Sequence, residues 1–446
     1  MTPKYHVALA LADALLAGDA GLAGLMRSAN HALGAPLPWV RALCRLVRRR
    51  AGARQASRHE LAGWIAGQRG FSRAWSEDDP RPAIKHYCLQ GQRAAEAPPW
   101  LAALALPQLA SSAELAQWLR VTPGELAWYA DRWRDAGPQA LRHYRYRWLE
   151  KRSGGWRLIE MPKLRLRAIQ GRLLRQILNL VPPHPAAHGF RRGHSCATHA
   201  ALHAGKTVLI KMDLRDFFPS IPAPRVHALF ASLGYPEAVA GALARLCTHR
   251  TPGAAFEALG VAVPAHSRAL LRTPHLPQGA PSSPALANLC AYRLDARLSA
   301  LAQSLSATYS RYADDLAFSG GPELRRALPR FQAQVAAIAV EEGFRLHPGK
   351  TRLMRSGARQ QVTGIVVNRH PNLPRREVDA LKATLHNCAR HGPASQNRCG
   401  HADFRAFLAG KLAYLHMLNP QRSMRLRRIF EQIVWPVAAP AAHYPD

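Results

Sequence analysis

The chain has 446 residues, with 61 Lys+Arg against 28 Asp+Glu and a formal net charge of +33. That length allows two or three domains with sizeable cores, and so large a basic excess repels itself unless a polyanion, most often nucleic acid, offsets it. An anionic membrane surface is the rival polyanion, but there is no run of about 18 uncharged apolar residues, and the opening MTPKYHVALALADALLAG, interrupted by Asp13, reads as an amphipathic helix rather than a signal peptide.

Residues 1 to 95 read as a helical extension, because Ala and Leu recur at helical spacing between basic clusters such as Arg45 to Arg50. Connector-like stretches follow at Glu77 to Pro82 and Ala97 to Pro99. Between Leu106 and Trp133 the pattern predicts two short helices, starting at Ser112 and at Thr122-Pro123, each with a Glu shortly after. They resemble a helix-turn-helix; a packing element at a domain edge is the plainer reading. The period then changes. Tyr144 to Trp148 and Trp156 to Met161 flank Arg152-Ser-Gly-Gly155, the signature of a β-hairpin with basic residues on its solvent-facing positions. A helix is expected over Leu164 to Leu180, ending before Pro182-Pro183, and Val208 to Asp213 is a buried-strand signal that ends in an acid. Mixed strands and helices continue to Asn368, and the tail after Pro371 is helical and basic. The fold class is therefore α+β: residues 1–95 as an extension, 96–368 as the body and 369–446 as a helical tail.

Seven cysteines are scattered without a CxxC pair, as expected of a reducing cytoplasm. His386, Cys388, His391, Cys399 and His401 match no common zinc spacing and read as a basic surface loop.

One stretch carries chemistry. SRYADDLAFSG, from Ser310 to Gly320, sets Asp314 beside Asp315 between two short apolar and aromatic strands. Two adjacent carboxylates repel unless a cation lies between them, and hard cations such as Mg²⁺ take oxygen ligands; a solvated turn is the alternative. Asp213, at the end of its own strand, adds a third acid. Together the three can hold two Mg²⁺ ions about 3.5–4 Å apart, the arrangement that clamps the attacking and leaving oxygens in phosphoryl transfer. Asp216, three residues on, is expected to face solvent or to pair with a nearby Arg.

These residues sit in ordered blocks. KMDLRDFFPSI at Lys211, LPQGAPSSPALANL at Leu276 and SRYADDLAFSG resemble three core blocks of reverse transcriptases, and WRLIEMPK, HGFRRGHS, GFRLHPGKT and QVTGIVVN extend the match. Val362-Thr363-Gly364 and His199-Ala-Ala-Leu-His203 bring it closest to the bacterial retron type, although His199 stands where that type carries Asn. The resemblance spans residues 105 to 440 and leaves the N-terminal extension unexplained.

The resemblance implies a right-hand polymerase of fingers, palm and thumb, acting as an RNA-directed DNA polymerase. Asp213, Asp314 and Asp315 become the metal-binding acids, with Leu214 lending its carbonyl. Phe218 becomes the aromatic that crowds a ribose 2′-OH, while Phe217 reads as a core residue. Gln278 and Gly279 contact the incoming nucleotide, in a turn where glycine lets backbone approach closely. Lys151 and Arg157 grip the triphosphate, which suits arginine's bidentate geometry, and Lys350 approaches the leaving pyrophosphate. Tyr312, His203, Thr363 and Gly364 lie toward primer and template. The implied partners are a structured noncoding RNA serving as template and primer, dNTPs, a branched msDNA product started from a 2′-OH, and an effector protein in phage defence. A group II intron-like or diversity-generating reverse transcriptase, or a non-catalytic RNA-binding scaffold, is the alternative. No endonuclease or RNase H block follows Asn368, so template removal is expected to fall to a separate enzyme.

Overall fold

The structure is a computed structural model that describes residues 3–17, 21–49, 58–77, 81–86, 103–130, 143–151, 154–257 and 263–436. Part of the expected connector at 77–82, all of that at 97–99, the turn residues 152 and 153 and the expected boundary at 95/96 lie outside these residues. The chain divides into two compact units that it visits alternately, Met1–Val181 with Pro222–Ser282 and Pro182–Ile221 with Ser283–Asp446. That division cuts through the expected 96–368 body.

The first unit opens with helices Pro3–Ala17, Leu22–Leu33, Pro38–Arg49, Arg58–Gly67 and Arg69–Glu77. Their apolar stripes close on one another, burying Leu11, Leu15, Leu25, Leu43, Leu61, Ile65 and Phe71 in a core of their own. Helix Pro38–Arg49 shows the logic of the whole bundle. Val40, Leu43, Cys44 and Val47 recur every three or four residues and turn inward, which leaves Arg41, Arg45, Arg48 and Arg49 exposed.

The next two helices are Ser112–Leu119 and Pro123–Tyr129. The first starts at Ser112 as expected and is capped by Ser111, which accepts the Glu114 N–H at 3.2 Å. Thr122 and Glu125 close a reciprocal capping box on the second. Strands β1 (Tyr144–Glu150) and β2 (Trp156–Pro162) then pair antiparallel, with Gly154 and Gly155 in the turn at φ 83° and 78°. The helix expected through Leu180 ends at Gln176 and is followed by a single tight turn, Leu178–Leu180.

The second unit is built on a four-stranded antiparallel sheet in the order β4 (Thr308–Tyr312), β5 (Asp315–Gly320), β3 (Val208–Asp213), β6 (Arg352–Arg355). β3 lies between two partners, and Val208, Leu209, Ile210 and Met212 on it are at most 1% exposed, as a run that is apolar on both faces requires. β7 (Gln361–Val362) and β8 (Ile365–Val366) form a small hairpin. Helices Arg375–His391, Phe404–Leu418 and Pro420–Glu431 follow, with a core that includes Leu381, Leu385, Cys388, Leu408, Leu412 and Leu415.

That core corrects the reading of the His/Cys cluster as a surface loop. His386, Cys388 and His391 lie on a helix, Cys388 is buried, and the His401 ring stacks on Phe407 at 4.0 Å. Helical periodicity turned Cys388 inward with Leu381 and Leu385.

Candidate active site

Strand pairing assembles the acids. The antiparallel register of β3 and β5 sets Asp213 directly opposite Asp315. On the other side of β5, Tyr312 pairs with Asp315, which leaves Ala313 and Asp314 as a two-residue turn with Ala313 at φ 57°. The turn is tied to β3 because the Leu214 N–H donates to the Asp314 carbonyl at 2.9 Å. On its far side, the Asp213 carbonyl accepts the His347 N–H at 2.7 Å. Two adjacent acids and a third 101 positions earlier (314 − 213) thus share the end of one sheet, all within the second unit.

Two lysines face them. Lys350 Nζ lies 2.9 and 3.0 Å from the two carboxylate oxygens of Asp213. Lys211, two positions back on the same face of β3, lies 3.5 Å from Asp315. These cations do not fully compensate the cluster. Burial, then repulsion from Asp213 and Asp315, raises the Asp314 pKa above the ordinary carboxylate value. Asp315 is likewise raised, chiefly by burial and further by Asp213, against the opposing pull of Lys211. Among the described residues no three His, Cys, Asp or Glu side chains already converge as a metal cage. The donor set nevertheless fits a hard divalent cation: hard carboxylate oxygens only, crowded in a partly buried site where added positive charge relieves repulsion.

The hairpin rests on a buried charge network that sequence reasoning missed. Arg311, 0% exposed, donates through Nε and Nη2 to the two oxygens of Asp295 at 2.8 and 2.6 Å. Its Nη1 reaches both the Asn288 side-chain oxygen and the Ala313 carbonyl at 3.0 Å. The Tyr309 hydroxyl donates to Asp295 at 2.8 Å, and Asn288 donates to the Gly189 carbonyl at 2.8 Å. A buried bidentate pair of this kind fixes geometry, and here it fixes the residue that precedes Asp314. The signal was a lone charge in the strand Thr308–Tyr312, which is otherwise uncharged; its partner lies on a helix sixteen residues earlier, out of reach of local pattern.

Of the other residues singled out, Leu214 is buried. Phe217 is buried against Phe344, whereas Phe218 is only partly buried, 6.1 Å from the Phe190 ring. Asp216 lies 3.5 Å from Arg215, its side chain 16% exposed, so of its two expected settings it takes the arginine. Tyr312 packs beside His199 at 5.7 Å. Thr363 and Gly364, at φ 46° and 85°, make the two-residue turn between β7 and β8.

His203 departs from expectation. It is 0% exposed, and its two ring nitrogens are bound at 2.7 Å to Ser319 and Ser310. A primer or template contact needs an accessible atom, and this ring offers none; it braces β4 against β5.

Lys151, Arg157, Gln278 and Gly279 belong to the first unit. Arg157 is exposed on β2, and the Lys151 backbone closes the hairpin by pairing with Gly155 at 2.8 Å. The Gln278 carbonyl accepts the Glu160 N–H at 2.9 Å. Gly279 has φ 133°, and a Cβ there would stand 2.8 Å from the Glu160 carbonyl oxygen. Only glycine allows that approach.

Comparison with known proteins follows the same residues. A family model described as reverse transcriptase (RNA-dependent DNA polymerase) matches residues 149–382. The chain is 43% identical over 330 residues to the retron Mx65 reverse transcriptase of Myxococcus xanthus, covering 74% of this chain and 73% of that protein. It is 37% identical over 333 residues to the retron Mx162 reverse transcriptase of the same organism, covering 71% and 66%. With the retron Ec86 reverse transcriptase of Escherichia coli it shares 31% identity over 247 residues, covering 55% and 69%.

Proposed function

The chain belongs to the retron reverse transcriptases, RNA-directed DNA polymerases with a right-hand polymerase fold, and from that premise we propose that it copies a cognate structured noncoding RNA, starting from a 2′-OH of that RNA and leaving branched msDNA. The observation that carries the catalytic part is the register that sets Asp213 opposite Asp315, with Asp314 in the adjoining turn.

Asp213, Asp314 and Asp315 would hold magnesium, with the Leu214 carbonyl beside them. When bound, the divalent ion supplies positive charge where negative charge develops on the attacking and leaving oxygens of nucleotidyl transfer. The protein's own part is positional. The strand register spaces the acids, and Arg311 fixes the turn. Lys350 keeps an ammonium at Asp213, within reach of a triphosphate's leaving end. Phe218 crowds the ribose 2′ position and favours dNTPs. Lys151 and Arg157 meet the triphosphate, and Gln278 with Gly279 meets the nucleotide. Tyr312, Thr363 and Gly364 lie toward primer and template.

The net charge of +33 suits a polyanionic partner that is bound throughout the reaction. Among the described residues no helix is long and apolar enough to cross a membrane. A role in phage defence with an effector protein, in the cytoplasm, completes the proposal.

The test is to purify the chain with its bound nucleic acid, sequence that material, and treat it with debranching enzyme and RNase. A single DNA species joined to one RNA through a 2′–5′ linkage is the expected result. Unbranched DNA of varied sequence would overturn the retron mode of priming while leaving the polymerase intact. The absence of primer extension under any divalent ion would favour an RNA-binding scaffold.

A further inference from the structure

Glu160 lies on β2, in the first unit, and is 1% exposed. Carboxylates are almost never so deeply buried without a partner. Its Oε1 accepts from the Thr251 hydroxyl at 2.7 Å, and its Oε2 lies 2.9 Å from His275 Nε2, on a ring that is 0% exposed. His249 Nε2 is 3.9 Å from the same carboxylate and 2.8 Å from the Tyr146 hydroxyl.

The network engages both ring nitrogens of His275. Its Nδ1 is 2.7 Å from the Thr273 carbonyl, which can only accept, so Nδ1 carries a proton. Burial opposes the charge on Glu160, but His275 beside it outweighs that effect and brings the carboxyl below its ordinary pKa. Glu160 and His275 are a buried, hydrogen-bonded carboxyl–imidazole pair.

The backbone around this pair converges on one loop. His275 and His249 exchange N–H···O bonds at 2.9 Å each, and the Ala223 N–H donates to the Pro274 carbonyl at 2.9 Å. Three residues after His275, the Gln278 carbonyl takes the Glu160 N–H at 2.9 Å, and Gly279 is laid on the Glu160 carbonyl so closely that a Cβ would reach 2.8 Å. Glu160 therefore holds the Gln278–Gly279 segment twice, through its main chain directly and through its side chain by way of His275. A buried polar pair of this kind contributes little net stability compared with apolar residues of the same shape; what it supplies is a fixed geometry. We propose that the Glu160–His275 pair is a positioning device that sets Gln278 and Gly279 for the incoming nucleotide, which rests on the reading above that these two residues meet it.

The experiment uses the full chain, an RNA template and a short DNA primer, below the melting temperature of every variant. Steady-state KM for dNTP, kcat and primer–template Kd are measured for Glu160→Gln, for Glu160→Gln with His275→Gln, and for Gln278→Ala. Glu160→Gln is expected to raise the dNTP KM by roughly tenfold, the scale of one lost positioning interaction, with primer–template Kd unchanged. The double variant, whose two amides can bond each other, should recover most of that loss. Thr251→Val, which removes one hydrogen bond and keeps the Glu160–His275 contact, should shift KM in the same direction by less, and it serves if Glu160→Gln does not fold.

A lower melting temperature with unchanged KM in both Glu160→Gln and Thr251→Val would make the pair a structural support and overturn the proposal. If Gln278→Ala raises KM while Glu160→Gln does not, only the positioning role falls. If Gln278→Ala also leaves KM unchanged, the loop does not meet the nucleotide, and both readings fall.

Discussion

Gly189 offers the sharpest test of how the catalytic turn is held. It belongs to HGFRRGHS, and its carbonyl accepts from Asn288, which also serves Arg311. A Cβ at this position would lie 2.6 Å from the Ala313 nitrogen and 3.3 and 3.4 Å from two Tyr312 backbone atoms. With ordinary contact beginning at 3.4 Å, Gly189→Ala must move one segment by 3.4 − 2.6 = 0.8 Å. All three obstructing atoms are backbone, so no side chain can rotate to make room. Overpacking of this kind costs about 1–3 kcal/mol of stability. Because Asp314 follows Ala313, the displacement carries a proposed metal ligand with it, and a misplacement of about 1 Å can cost on the order of a hundredfold in rate. Single-turnover nucleotide incorporation on a saturating RNA template should therefore slow by about two orders of magnitude in a protein that still folds. The primer–template Kd should stay near wild type. Wild-type incorporation by folded Gly189→Ala would show that the turn adjusts without moving Asp314, and the argument from close packing would be wrong.

Asp213→Asn, Asp314→Asn and Asp315→Asn should each abolish DNA synthesis with the fold retained, and primer extension near wild type by any of them would remove that acid from the site. Phe218→Ala should admit ribonucleotides; if single-nucleotide incorporation keeps its preference for dNTP, Phe218 is a packing residue only. Arg311→Met leaves Asp295 as an uncompensated buried charge and should cost about 3–5 kcal/mol in urea unfolding, a loss that a second change, Asp295→Leu, should largely reverse; an Arg311→Met protein as stable as wild type would contradict the buried pair. The histidines give a pH dependence of definite sign. Burial first, then nearby cationic groups, lowers His188 from 6.5 to about 4 and His199 and His203 from 6.5 to about 3. The unfolded chain therefore binds protons that the folded chain does not, so their contribution is complete above pH 6.5 and is lost as pH falls toward 4 for His188 and 3 for the other two. The loss is at most about 1.4 kcal/mol per histidine for each pH unit in that window. Urea unfolding from pH 7.5 to 5 should show a slope that becomes shallower in His203→Gln, and an unchanged slope would mean that His203 is not buried as a neutral ring.

Much of this protein was legible in order along the chain. The β3 run, the 144–162 hairpin, the Thr122 cap and the paired acids of SRYADD all declare themselves, because strand propensity, turn chemistry and helix capping are written within a few residues of where they act. The α+β class followed from the same signals. What the sequence could not assign was partners. It posed the question of which cation answers Asp314 and Asp315, and the nearest candidate, Arg311, turns away to Asp295. The cations at the cluster are Lys211, which period-two alternation on β3 could have indicated, and Lys350, which lies 137 positions from Asp213. His203 sits in a motif that suggested nucleic acid, yet the packing of β4 and β5 seals it between two serines. Glu160 reads as one more charge on a basic hairpin until the chain returns with Thr251 and His275. In each case the deciding contact joins segments far apart in sequence. Local energetics chooses the element, but which side chain is desolvated, and by what it is then compensated, is set only when the elements pack.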